Sequence, residues 1–173
     1  FTTSNSSLTY DVIHDIMEKD NQLWVATDGG GINIISLDDF SFTNIQQKQD
    51  DVHSFPANTI YRLYLDSANN MWAGSIRRGL IGIRNVFACS YQNVPFGNLY
   101  GLSNQTINSF FQDSDGMVWV GTDGGGINRF DPLTGTFKHY PSTMHEKVVS
   151  IVEYTPDELL FSSFNEGLFI FHK

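Results

Sequence analysis

The sequence predicts an all-β protein, a β-propeller segment of about four four-stranded antiparallel blades. Three observations carry this reading. A large apolar anchor followed seven residues later by glycine recurs four times: Trp24 with Gly31, Trp72 with Gly79, Trp119 with Gly126, and Leu160 with Gly167. The anchors succeed one another after 48, 47 and 41 residues, a period that suits a repeated small sheet. Short runs rich in β-branched and aromatic residues alternate with Asn-, Asp- and Gly-rich turns, and no stretch sustains a helical period.

Each unit divides into the same elements. Twelve residues before the anchors stand Val12, Ile60, Ile107 and Val148, where a first strand is predicted to begin. Polar turns follow at Asp20-Asn21, Ser67 to Asn70, Asp113 to Gly116 and Pro156-Asp157; Asn, Asp and Gly suit them because they tolerate positive φ. The second strand bears the anchor. The glycine cluster then reverses the chain into a third strand from Ile32, Leu80, Ile127 or Leu168, and a fourth begins near Phe40, Ala88 and Thr136. Four short strands per unit are the blades of a propeller. One blade cannot cover both its faces, so the anchors are predicted to fill the space between neighbours.

The domain is read as one propeller segment over residues 1–173, with blades at 8–46, 58–93, 105–140 and 147–173. Phe1-Thr2-Thr3 reads as the outer strand of a preceding blade or of the last one, because Phe1 precedes Val12 by eleven residues as Phe137 precedes Val148. The fourth unit stops after its third strand. Either the arc is open and belongs to a larger propeller, or the N-terminal strand closes a four-bladed ring. A start at Phe1 rather than Met favours the excised arc.

Composition narrows the function. Ten Lys and Arg stand against nineteen Asp and Glu, a net charge of −9 without any basic run. Phosphate contacts need clustered cations, so nucleic acid is not expected as a partner. No apolar stretch reaches the ~18–20 residues of a membrane span. One cysteine, Cys89, permits no internal disulfide. Asp113-x-Asp115-Gly116 opens like a calcium loop but lacks the later acidic ligands, so it reads as a turn. Gly29-Gly30-Gly31 lacks the lysine of a phosphate-binding loop and reads as a turn too. No metal and no cofactor are expected. A glycosidase needs two carboxylates converging within ~5–10 Å, and Glu153, Asp157, Glu158 and Glu166 cannot be so placed from sequence. No catalytic residue is assigned.

The run from Asp113-Ser114-Asp115-Gly116 through Trp119-Val120-Gly121-Thr122, with Gly125-Gly126-Ile127-Asn128-Arg129-Phe130 after it, resembles the two-component regulator propeller repeat. The resemblance is strong in the first and third units, fair in the second and weak in the fourth. It implies the extracytoplasmic, periplasmic sensor region of a membrane-anchored hybrid two-component histidine kinase and response regulator. Such a region would bind an oligosaccharide released from a polysaccharide and signal to an intracellular kinase. None of the five histidines (His14, His53, His139, His145, His172) lies in a helical context suited to phosphorylation, so no kinase is expected in this chain.

Strand parity places the ligand. In an up-down-up-down blade, the glycine turns and the links to the next blade share one face. The longest connectors, Gln46 to Thr59, Gln92 to Thr106 and Pro141 to Lys147, lie there, and binding residues gather on such loops. The second and fourth units break the Asp-Gly-Gly pattern with Ile76-Arg77-Arg78 and Phe164-Asn165-Glu166. Arg77 and Arg78 could fork onto carboxylate or sulfate groups of an anionic sugar. Phe55, Phe96, Tyr100 and Tyr140 could stack on sugar faces, with His53, Asn98, Asn165 and Glu166 as polar partners. Each could instead anchor a loop or face solvent. Three function classes follow: a non-catalytic glycan sensor, a carbohydrate-active propeller enzyme (glycosidase or lyase), and an interaction or dimerisation scaffold, for which a homodimer is the expected form.

Overall fold

The computed structural model describes residues 1–48, 54–84, 87–92, 98 and 100–173, with backbone alone at 84 and 87–89. Four antiparallel sheets follow one another along the chain, each in simple meander order. The first holds β1 (Ile13–Lys19), β2 (Gln22–Thr27), β3 (Ile32–Ser36) and β4 (Phe42–Ile45). The second holds β5 (Ile60–Leu65), β6 (Met71–Ser75), β7 (Leu80–Arg84) and β8 (Phe87–Tyr91). The third holds β9 (Ile107–Gln112), β10 (Val118–Thr122), β11 (Ile127–Asp131) and β12 (Thr136–His139). The last holds only β13 (Val148–Thr155), β14 (Glu158–Ser163) and β15 (Gly167–His172). Among the described residues there is no α-helix, only a 3₁₀ turn at Pro141–Thr143.

The blades stack through alternate faces. Ile60, Leu63, Met71 and Ala73 of the second blade pack toward Trp24, Ala26 and Ile32 of the first. Ile107, Val118, Val120 and Phe130 repeat this against Trp72 and Leu80, and Val148, Ile151, Leu159 and Phe161 repeat it against Trp119 and Ile127. Every residue of β6 and β10 is buried, as the second strand of a sheet covered on both faces must be. Close approach is built in by small residues two positions after each indole. A Cβ on Gly74 would lie 2.7 Å from Ile107 Cβ, and one on Gly121 2.7 Å from Val148 Cγ1.

The glycines seven positions after the anchors have a shared geometric reason. Gly31, Gly79 and Gly126 have φ near +70°, and an added Cβ would strike the Ile45, Tyr91 and Thr143 carbonyl oxygens at 2.1–2.2 Å. Gly167 also has positive φ, but nothing lies within 4 Å of a Cβ added there, and the fourth sheet has no outer strand to fold over it.

Two details depart from the sequence reading. In the ladder Ile60 pairs with Ser75, Ile107 with Thr122 and Val148 with Ser163, and the residue paired with Thr27 is Ile13, not Val12. The Asp20-Asn21 hairpin, with both residues at positive φ, is tighter than the turns at Asp66 and Asp113, which shifts the first strand by one. Phe1-Thr2-Thr3 forms no strand. The N-terminal segment turns back on the first blade, Phe1 packing on Phe40 and Phe42. Residues 8–12 then copy the connector at 102–106: Thr9 N donates to Asn33 Oδ1 at 3.0 Å as Ser103 N donates to Asn128 Oδ1 at 2.8 Å.

The arc is open. First strands touch in sequence, β1 on β5, β5 on β9 and β9 on β13. The faces that would meet a further blade are bare: Ile13 and Ile16 on the first, and Val152, Leu168 and Ile170 on the last, are exposed. Their counterparts at the inner interfaces, such as Ile60, Leu63, Leu80 and Ile127, are buried.

Candidate functional site

The glycine turns and the connectors do share one face, and hydrogen bonds tie them together. Gly29 N and Gly31 N both donate to the Asn58 carbonyl, and Gly124 N and Gly126 N both donate to that of Glu146. Isolated bridges pair Asp28 with Thr59 and Asp123 with Lys147. Each connector is thus clamped over the turn of the blade it leaves, which fixes the rim of the face as a rigid scaffold.

Described residues form two clefts on this rim. The first, of about 360 Å³, is lined by Asp28, Gln47, Asn58, Thr59, Ser75, Arg77 and Arg78. Its arginine-bearing turn is held from beneath: Arg78 N donates to Ser75 Oγ at 2.7 Å, and Thr106 Oγ1 donates to the Ile76 carbonyl. Both arginine side chains are exposed above that fixed backbone. A rigid loop presenting two guanidinium groups suits a planar anion better than flexible lysines would.

The second cleft, of about 350 Å³, lies at the inner edge of blades two to four, among Tyr61, Arg62, Asn108, Asp123, Lys147, Val149 and Phe164. Arg62 is its floor. Its Nε donates to the Asn108 carbonyl at 3.0 Å and its Nη1 to the carbonyls of Tyr61 at 3.1 Å and His14 at 3.4 Å, joining β1, β5 and β9. The guanidinium carbon sits 5.0 Å from the Tyr61 ring centre, and the His14 ring is tilted against the same tyrosine, 4.6 Å between centres. Lys147 Nζ pairs with Asp123 Oδ1 at 3.2 Å on the cleft wall.

The residues singled out from sequence divide three ways. Arg77 and Arg78 line a cleft, and Asn165 and Glu166 are exposed on the fourth turn, with Asn165 at φ +77°. Asn98 and Tyr100 stand exposed on their connector, where Asn98 Oδ1 accepts from Tyr100 N at 2.9 Å. Phe55 and Tyr140 are corrections: at 6% and 9% exposure they belong to the blade cores and cannot stack on a ligand. Tyr140 lies parallel to Trp119 at 5.5 Å and edge-on to Phe171 at 4.8 Å, so the connector aromatic serves as an inter-blade wedge. His53 and Phe96 lie outside the described residues. Sequence reasoning missed Arg62, because a charged residue inside an alternating strand reads as solvent-facing. It also missed Phe164, whose place at a turn that holds Asp28 and Asp123 in other units was the available signal.

Asp113 is a structural residue. Its Oδ1 accepts from Asp115 N and Met117 N while its Oδ2 accepts from the Trp119 indole at 2.7 Å. Asp66 does the same for Trp72 at 2.9 Å. Burial pushes the Asp113 carboxyl up, but the bonds from Trp119, Met117 and Lys173 outweigh it and leave it below the ordinary aspartate range. Among the described residues no three His, Cys, Asp or Glu side chains gather as a metal site.

Residues 54–77 and 101–124 match the two component regulator propeller family. The matches fall on the second and third units, whereas the sequence resemblance was strongest in the first and third. No curated protein sequence matches the chain. Among solved structures, the extracellular domain of BT3049 from B. thetaiotaomicron, assigned as a hybrid two component system, aligns with TM-score 0.58 at 16% identity, over 99% of this chain and 29% of that one. Virginiamycin B lyase from Staphylococcus aureus aligns with TM-score 0.65 at 15% identity, over 98% and 57%. PorZ, a surface component of the type-IX secretion system of Porphyromonas gingivalis, aligns with TM-score 0.68 at 13% identity, over 99% and 28%. These likenesses establish the propeller fold, and the chain spans less than a third of BT3049 and of PorZ. The chain is an open arc of propeller blades, and its second and third blades match the two component regulator propeller repeat in register with the anchors and glycines.

Proposed function

We propose that this chain is a ligand-sensing segment of the extracytoplasmic, periplasmic propeller of a hybrid two-component sensor, without catalysis of its own. Its ligand class is an oligosaccharide, and a membrane-anchored parent carries the event to an intracellular histidine kinase. The observation that supports this most is the repeat match itself, which ends at Arg77, on the turn where the second unit replaces glycines with two exposed arginines. Arg77 and Arg78 on a backbone fixed by Ser75 and Thr106 form a fork for a carboxylate or sulfate on a sugar. No helix among the described residues is long and apolar enough to cross a membrane.

The test is a glycan-array screen of the segment extended on both sides by neighbouring blades, followed by calorimetry on Arg77→Ala and Arg78→Ala. Binding of acidic oligosaccharides that weakens in both variants, at an unchanged melting temperature, supports the reading. Failure of every saccharide class to bind transfers the weight to the scaffold alternative, which the bare apolar flanks of the first and last blades favour.

A further inference from the structure

The cleft at the inner edge of blades two to four has a composition unlike that of the arginine cleft. Its cations are held by the protein: Lys147 pairs with Asp123 at 3.2 Å, and Arg62 spends Nε and Nη1 on backbone carbonyls of three strands. What remains is an aromatic ring and polar edges. Phe164 is 62% exposed at the lip, where a large apolar side chain gains nothing from the fold. Its backbone is nevertheless fixed, because Phe164 N donates to the Lys147 carbonyl at 2.8 Å. The Asn108 amide and the Tyr61 ring complete the lining. A flat apolar ring beside amide, carboxylate and ammonium edges fits a molecule with one C–H face and a belt of hydroxyls.

We infer that this cleft is a second subsite that takes an uncharged sugar unit, with Phe164 as its stacking platform and Asn108, Asp123 and Lys147 bonding the hydroxyls. The inference rests on the oligosaccharide reading above. The two clefts adjoin at the start of β5, Thr59 lining one and Tyr61 the other, and His14 touches a lining residue of each, Asp28 at 3.9 Å and the Tyr61 ring. The ligand is then an oligosaccharide with an acidic unit over Arg77 and Arg78 and a neutral unit over Phe164.

The test is calorimetric titration of the wild type and variants with a defined panel: neutral xylo-, cello-, malto-, manno- and arabino-hexaoses, oligogalacturonates, and glucuronic-acid-branched xylo-oligosaccharides. Phe164→Ala should weaken binding of the mixed and the neutral probes alike by about tenfold, the effect of losing one aromatic contact. Phe164→Trp should restore it, which a residue serving only the fold would not do. Arg77→Ala should weaken only the probes that carry an acid. Wild-type affinity in Phe164→Ala alongside loss in Arg77→Ala overturns this subsite and leaves the sensor reading standing. A wild type that binds no member of the panel overturns both.

Discussion

The Trp119 indole donates to Asp113 Oδ2 at 2.7 Å inside the third blade, while the equivalent indole nitrogen of Trp24 in the first blade is buried without a partner. The two anchors therefore answer differently to the same change. Trp119→Phe removes a hydrogen bond to a buried carboxylate and should cost about 2–3 kcal/mol. Trp24→Phe removes an indole N–H that has no partner to lose, and should cost under about 1 kcal/mol beyond the lost ring area. Urea unfolding of the two variants separates the cases, and equal losses would mean that the aspartate cap carries no weight.

Lys173 links Asp113, at 3.2 Å, to Glu153, and the three titrations are coupled to folding. Lys173 foremost holds the Glu153 carboxyl below its ordinary range, and Asp113 is lowered as described. A carboxylate lowered by folding stabilises the fold above its unfolded pKa and loses that contribution as pH falls through the folded value, so the urea midpoint should drop below about pH 4. Burial pulls the Lys173 ammonium down, but its bonds to Glu153 and Asp113 more than offset this and raise it. Its contribution is complete below the ordinary lysine range and is lost as pH rises through the raised value, above about pH 10. Lys173→Met should flatten the alkaline fall and soften the acid one; a profile that matches wild type at both ends refutes the coupling.

Gly126 and Gly167 occupy the same repeat position with unequal surroundings. Gly126→Ala drives a methyl to 2.2 Å from the Thr143 carbonyl oxygen at φ +70°, and should cost about 3 kcal/mol or more. Gly167→Ala meets only the backbone strain of φ +95° in open space, about 1 kcal/mol. Thermal unfolding of both, read against wild type, checks the ordering.

Arg62 joins three first strands through the carbonyls of His14, Tyr61 and Asn108. Arg62→Ala should lower stability by about 2 kcal/mol, and Arg62→Lys should recover little, because an ammonium cannot span acceptors held apart by a planar fork. Denaturation of the pair is the measurement, and full rescue by lysine would contradict the bridging role.

Much of the architecture was readable before any coordinates. The anchor-to-glycine interval marks the sheets because in the first three units the glycine must pass under a returning carbonyl, and Gly167 keeps the positive φ of the same turn without one. The one-residue error at Val12 arose because Val12 and Ile13 are both β-branched, so pattern alone could not reveal that the Asp20-Asn21 hairpin is tighter than its counterparts. Phe55 and Tyr140 were misplaced for a different reason. Connector aromatics look available in sequence, whereas the connectors fold back over the blade ends and bury them. The grouping of charges in the inner cleft was invisible, since Arg62, Asp123 and Lys147 meet only through long-range packing.

Contacts that run chiefly from each module to its successor make cohesion a chain of separate joints. Such an assembly should come apart from its extremities inward, the amides of β15 exchanging with solvent first and those of β6 and β10 last. Anything that settles on the outermost module would therefore be felt along the whole row as tightening, without any hinge having to turn.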